Sequence, residues 1–314
     1  EKELPLVDRA IDWTQLSWPL DADPLFDSPK GAISIKGSAR DLALQLESLI
    51  GTGEFNASGR LQGQKLNAEV NWYDLQWPND GSQVTNINGQ FTIQGTLSDY
   101  LLAVTTSAET TAAAAVHLMA AGQGSKQSLQ LKKLSLAALD GELQGRGEVT
   151  WSPELNFNVR LEGKQFNPAT LAEQLPGSID LRVSASGHQN HNIFAVALNE
   201  LTMEGRLRDL PFILKTQGDG KISQENGLTI NLDNLQLTSG PTRFQAKGEI
   251  GDPLNINWSF NSPDLSTLWP TASGEVHGQG MLLGSKQFPA IDMKLDASKL
   301  KFEGYSLQSL ALKA

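Results

Sequence analysis

The chain has 314 residues, 39% of them hydrophobic and 19% charged, with a formal net charge of −10. Both fractions are below those of an average globular chain, so one face of a sheet can be covered but a thick two-sided core is poorly supplied. The acidic balance argues against nucleic acid and anionic membrane surfaces, whose binding depends on Lys and Arg, and the absence of cysteine excludes disulfides, thiolate nucleophiles and Cys-type zinc sites.

The opening, EKELPLVDRA, has no basic start followed by an apolar stretch, so no signal peptide is read there. The chain reads as a piece of a longer protein. Strict alternation then dominates. Leu42, Leu44 and Leu46 alternate with Ala and Gln; Leu66, Ala68, Val70 and Trp72 alternate with Asn and Glu. The same spacing returns in Leu155 to Leu161, Ile179 to Val183, Leu228 to Leu232, Ile256 to Phe260 and Ile291 to Leu295. A period of two puts these side chains on one face of a strand. The other face is Asn, Gln, Ser, Thr, Lys and Glu, as in antiparallel sheets with one wet side.

Gly59, Gly63, Asn88-Gly89, Asp140-Gly141, Gly145, Asn226-Gly227, Ser239-Gly240-Pro241, Gly248 and Gly251 are read as turns between these runs. Their spacing predicts roughly twenty strands. Helix is predicted only in short pieces, Asn167 to Leu175 and Ser262 to Pro270, each with a capping residue before Pro. The Ala-rich stretch Ser107 to Ala121 is compatible with helix or strand.

An internal repeat is visible. Leu129-x-Leu131-x-x-Leu134-x-Leu136 matches Ile230-x-Leu232-x-x-Leu235-x-Leu237, and Gly147-Glu-Val149 matches Gly248-Glu-Ile250. A short helix and a Pro follow in both copies. The chain is therefore expected to be one continuous repetitive segment over 1–314, with a loose repeat at about 127–187 and 226–280. Loose β repeats stack along one axis, each unit contacting mainly its neighbours.

The stretches Trp18-Pro19-Leu20 with Gly31 to Gly37, and Gln94-Gly95-Thr96-Leu97-Ser98-Asp99-Tyr100, resemble the TamB family of AsmA-like periplasmic proteins. So do Leu134-Ser-Leu136 through Gly147-Glu-Val149-Thr-Trp151-Ser-Pro153, Asn167-Pro168, Leu175-Pro176-Gly177, and Ser262-Pro263-Asp264-Leu265 with Leu268-Trp269-Pro270. The order of these motifs carries the resemblance; none is specific alone. The resemblance implies a middle periplasmic segment of an inner-membrane-anchored protein of a Gram-negative bacterium. It implies a β groove related to bridge-like lipid transfer proteins. Phospholipid acyl chains would be its cargo, and the Omp85-family outer-membrane protein TamA a partner through a region outside this segment. It also implies a second role, as a scaffold or chaperone for outer-membrane β-barrel and autotransporter assembly.

Alternation alone serves a two-sheet sandwich as well as an open groove. The resemblance selects the groove: an all-β, long, curled, repetitive antiparallel-rich sheet, taco-like, with one or two short helical turns. Twenty strands at about 4.8 Å would extend on the order of 95 Å, and sheets of that size tend to curl. The expected lipid-lining residues are Leu131, Leu136, Val149, Phe157, Val159, Leu181, Ile230, Leu237, Ile250, Trp258 and Phe260.

No enzyme and no cofactor are expected. His188 and His191 lack nearby acidic or thiolate ligands and read as a solvated loop. Gly145-Arg-Gly147 and Gly122-Gln-Gly124 sit in no strand–loop–helix unit, so they are not phosphate loops. Asp21 with Asp23, or Asp292 with Asp296, would need a defined spatial separation to act as a glycosidase pair, and exposed positions are the simpler reading. Trp18, Trp77 and Trp269, each before a Pro, are read as packing or edge-capping residues, and Trp72, Trp151 and Trp258 lie in strand patterns.

Overall fold

A computed structural model describes residues 6–18, 26–38, 40–77, 83–110, 115–170, 172–190, 192–223, 227–269, 271–302 and 304–313. These residues fold into two units, Glu1–Glu148 and Val149–Ala314. Each carries a large antiparallel sheet.

The first unit opens with β1 (Val7–Trp13), followed by β2 (Leu16–Trp18) and β3 (Phe26–Ser28), which pair with each other. Next come β4 (Gly31–Ser38), β5 (Asp41–Ile50), β6 (Gly53–Gln62), β7 (Lys65–Trp77) and β8 (Val84–Thr96). The unit continues with β9 (Asp99–Thr110), β10 (Ala115–Gly124), β11 (Ser128–Ala138) and β12 (Gly141–Thr150). Strand β1 pairs with β4, and each strand from β4 to β11 pairs with the next.

The second unit contains β13 (Leu155–Phe166), β14 (Gly177–Asn190), β15 (Ile193–Leu207), β16 (Leu210–Ser223) and β17 (Gly227–Ser239). It ends with β18 (Thr242–Ile250), β19 (Leu254–Ser262), β20 (Ala272–Gly284), β21 (Pro289–Phe302) and β22 (Tyr305–Lys313). Here too each strand from β13 to β21 pairs antiparallel with the next.

Several hairpins turn on two residues. Leu139 and Asp140 both have positive φ, as do Arg208 and Asp209, which is what the tight turns matching strand twist require. Gly63 and Gly240 begin similar two-residue links. Some sequence-predicted turns are strand interior instead. Gly59, Gly145 and Gly248 lie within β6, β12 and β18, and Asn88-Gly89 lies within β8. Asn88 stands opposite Ser107 and Gly89 opposite Thr106. The Ala-rich stretch is strand: β9 runs to Thr110 and β10 starts at Ala115, with residues 111–114 outside those described.

Helix shrinks to two single 3₁₀ turns, Pro168–Thr170 and Leu265–Thr267. Asn167 Oδ1 accepts from Ala169 N at 3.1 Å, and Asp264 Oδ1 accepts from Ser266 N at 2.9 Å. The second cap is thus Asp264 rather than Ser262, whose hydroxyl is engaged elsewhere. Leu171 and Pro270 lie outside the described residues. No described helix is long and apolar enough to cross a membrane.

The expected curled, taco-like groove is not what forms. The sheets are large and antiparallel with minimal helix, but neither curled nor closed. Within each unit, strands contact the partners they hydrogen-bond, and the described pairing gives β1 only β4 and β22 only β21. The apolar side chains are half-buried by their own neighbours rather than enclosed. Their bulk supplies the physical reason. Large side chains fill one face and Asn, Ser, Thr and Gln the other, so close packing resists bending toward the crowded apolar side. Among the described residues, one depression in the first unit and two in the second open on the polar face.

Candidate functional site

Directly opposed residues in an antiparallel ladder point to the same face, so the register can be followed across each sheet. In the second unit Phe157 stands opposite Gly187, Gly187 opposite Val196, Val196 opposite Gly220, Gly220 opposite Ile230 and Ile230 opposite Ile250. A parallel row joins Leu181, Met203, Leu214, Leu237, Phe244 and Phe260. Trp258 faces Ala246 and Gly280, and Gly280 faces Met293. Leu295, two residues from Met293 on β21, faces Leu312 of β22, so ten strands share one apolar face.

Eight of the sequence-predicted lining residues meet on it: Phe157, Val159, Leu181, Ile230, Leu237, Ile250, Trp258 and Phe260. Leu131 and Leu136 lie on the corresponding face of the first unit, opposite Gly122 and Leu118. Val149 lies in β12, at the start of the second unit. All eleven are half-buried. Asn156, Asn158, Arg160 and Glu162, which alternate with the apolar residues of β13, are exposed.

A run of this length loses its face if the period of two slips by one residue. Bulges prevent that. Leu198 to Leu201 and Leu232 to Leu235 are three-residue steps, and at each the register shifts so that both leucines stay on the apolar side. Leu131 to Leu134 does the same in the first unit. An extra residue in one strand of a pair is what a bulge inserts.

Sequence reasoning missed how the apolar face accommodates its glycines. Phe157 covers Gly187, where a Cβ would fall 2.4 Å from the ring, and Phe157 stacks on Phe194 with centroids 6.2 Å apart. Trp13 covers Gly31, Trp72 covers Gly89 and Tyr100 covers Gly124. The Trp258 ring lies against Gly278. A glycine directly opposite or diagonal to an aromatic gives the ring room to lie flat along the sheet. The signal was present in the sequence as aromatics and glycines in register between neighbouring runs.

Among the described residues no three of His, Asp or Glu gather where they could hold a metal ion. His188 lies on β14 opposite Asn156, and His191 lies outside the described residues, as do Asp21 and Asp23. Asp292 and Asp296 sit four residues apart on β21, a Cα spacing of roughly 13 Å at strand rise, longer than a glycosidase pair uses. Asp296 instead meets Lys294 at 3.4 Å. Gly122 and Gly124 lie within β10, and Gly145 and Gly147 within β12.

The geometry within each unit is that of an antiparallel sheet with one apolar and one polar face. The family model "TamB, N-terminal domain" matches residues 54–314, and the chain belongs to that family. It is similar to the translocation and assembly module subunit TamB of Haemophilus influenzae, 25% identical over 190 residues, which cover 60% of this chain and 14% of that protein. The chain thus aligns with a small part of the length of that relative. No solved structure matches it.

Proposed function

We propose that this chain is a periplasmic segment of a protein anchored in the inner membrane of a Gram-negative bacterium. Its apolar sheet face receives phospholipid acyl chains in passage between the two membranes. The observation that carries the reading is the single apolar face running across ten strands of the second unit, kept in phase through its bulges. Each methylene withdrawn from a bilayer into water costs about 0.8 kcal/mol, so a sixteen-carbon chain needs offsetting contact worth on the order of 12 kcal/mol. Half-exposed Leu, Ile, Val, Phe and Trp supply such contact without directional chemistry. Phe157→Asp and Trp258→Asp in the full-length protein should reduce lipid delivery, whereas Asn158→Asp should not. Normal delivery in both apolar-face variants contradicts the reading.

A second reading rests on β1, whose residues are almost all exposed and whose described pairing is with β4 alone. Such an edge can add a client strand, as a scaffold for outer-membrane β-barrel and autotransporter assembly would, acting with the Omp85-family partner TamA through a region outside this segment. Crosslinkers on β1 that capture unfolded client rather than lipid would favour it.

A further inference from the structure

The polar face of the second unit holds two adjoining depressions. The larger, about 550 Å³, has Lys247, Lys294, Lys313 and Asp292 in its wall. The other, about 480 Å³, shares Lys294 and adds Arg243 and Asp296. The register builds this trough: Gln245 stands opposite Ser259, Ser259 opposite Gln279, Gln279 opposite Lys294 and Lys294 opposite Lys313. One cross-strand row from β18 to β22 therefore turns donors toward a common line.

Two features mark this trough. The chain carries a net charge of −10, yet the walls of the two depressions hold Arg243, Lys247, Lys294 and Lys313 against Asp292 and Asp296. Lys294 pairs with Asp296; among the described residues the other three cations form no ion pair. The side-chain amides are also unspent. Asn234, Gln245, Asn257 and Gln279 make no side-chain hydrogen bond among the described residues. Some residues of the same types elsewhere are engaged, since Asn71 and Gln90 donate to Glu69, Gln123 to Asp99, and Asn231 to Asp219 and Asp233. The first unit's depression of about 360 Å³ contains Arg60, but Asp41 already takes two of its N–H groups.

We infer that the polar trough across β18–β22 binds phosphate-bearing groups along its length, with Lys247, Lys294 and Lys313 supplying charge and Gln245 and Gln279 supplying amide donors. Ammonium and amide donors lining adjoining concavities suit oxyanions with several acceptor oxygens, and charge-assisted bonds of this kind are the stronger class. The site is open to solvent, so binding weakens as salt rises. The phosphate can come from a free ion or from a phospholipid headgroup, and the test separates the two.

Side-chain amide resonances of the intact 314-residue chain are followed with inorganic phosphate. Sedimentation is measured with phosphatidylcholine vesicles with and without phosphatidylglycerol. Both are repeated for Lys247→Gln/Lys294→Gln/Lys313→Gln, for Lys313→Gln alone, and for an equal charge change elsewhere, Lys36→Gln/Lys65→Gln/Lys133→Gln. Phosphate shifts the Gln245 and Gln279 amides, and the trough triple variant weakens the effect about tenfold while the control does not. Binding confined to phosphatidylglycerol vesicles, with the same dependence on the three lysines, assigns the headgroup. Amides unmoved by phosphate together with vesicle binding equal in trough and control variants overturns the site.

Discussion

The hydroxyls of Thr242 and Ser262 meet at 2.8 Å in the second unit, and both side chains are completely buried. The same relation holds in the first unit between Ser28 and Ser48, also 2.8 Å apart and also twenty residues apart in sequence. Each pair has a third partner: Thr267 Oγ1 lies 3.1 Å from Thr242 Oγ1, and Trp13 Nε1 donates to Ser28 Oγ at 2.8 Å. Buried hydroxyls satisfied by one another fix a strand end without a wide apolar core. Thr242→Val strands the Ser262 hydroxyl, and the expected loss is about 1–3 kcal/mol in urea unfolding. The double variant Thr242→Val/Ser262→Ala should lose less than the sum of the single changes. Strict additivity would show that the two groups do not depend on each other.

Gly89 is held to glycine by its neighbours. A Cβ there would lie 2.5 Å from the Trp72 ring and 2.6 Å from the Thr105 carbonyl oxygen. The backbone oxygen cannot rotate aside, so Gly89→Ala is expected to destabilise by about 1–3 kcal/mol. Gly220 is the contrast, since its Cβ would meet nothing closer than 3.7 Å. Gly220→Ala is expected to be neutral or to stabilise by about 0.4–1 kcal/mol through the unfolded chain. Equal thermal shifts for the two substitutions would contradict the packing argument.

Arg60 donates to both carboxylate oxygens of Asp41, Nε at 2.8 Å and Nη2 at 2.6 Å. That hydrogen bonding holds the Asp41 carboxyl below the usual carboxylate range. Asn71 and Gln90 lower Glu69 in the same sense. A depressed folded-state pKa gives a contribution fully present above the unfolded value and lost as pH falls through the folded one. The carboxyl carbon of Asp41 should titrate at a lower pH in the native protein than in Arg60→Gln. The pair is exposed, so the midpoint is the telling readout rather than the melting temperature. Coincident midpoints would contradict the assignment.

The faces of the sheet were legible because alternation needs no tertiary information. Phe157, Val159 and Leu161 name their side of β13 by spacing alone. The three-residue steps at Leu131-x-x-Leu134 and Leu232-x-x-Leu235 were visible as a repeat, but their meaning as bulges came only with the pairing partners. Asn88-Gly89 shows the limit of turn chemistry. Asn-Gly favours a tight hairpin locally, yet Trp72 on the adjacent strand and the continuing ladder to β9 hold it extended. Curvature was not legible at all. It depends on the relative crowding of two faces, and the expected bend toward the apolar side was wrong for that reason. Nor could the unpaired state of Lys247 and Lys313 be seen, since it depends on which carboxylates the register places beside them.

The apolar face as the surface that meets hydrocarbon is tested most directly by a face-resolved crosslinking pair in cells. A photoactivatable residue replaces Phe157 or Trp258 in one set of full-length proteins and Asn156 or Asn158, on the opposite face of β13 and away from the polar trough, in the other. Phospholipid should be captured at Phe157 and Trp258 and not at the two asparagines. Lipid absent from the first set, or recovered equally from both, would contradict the account.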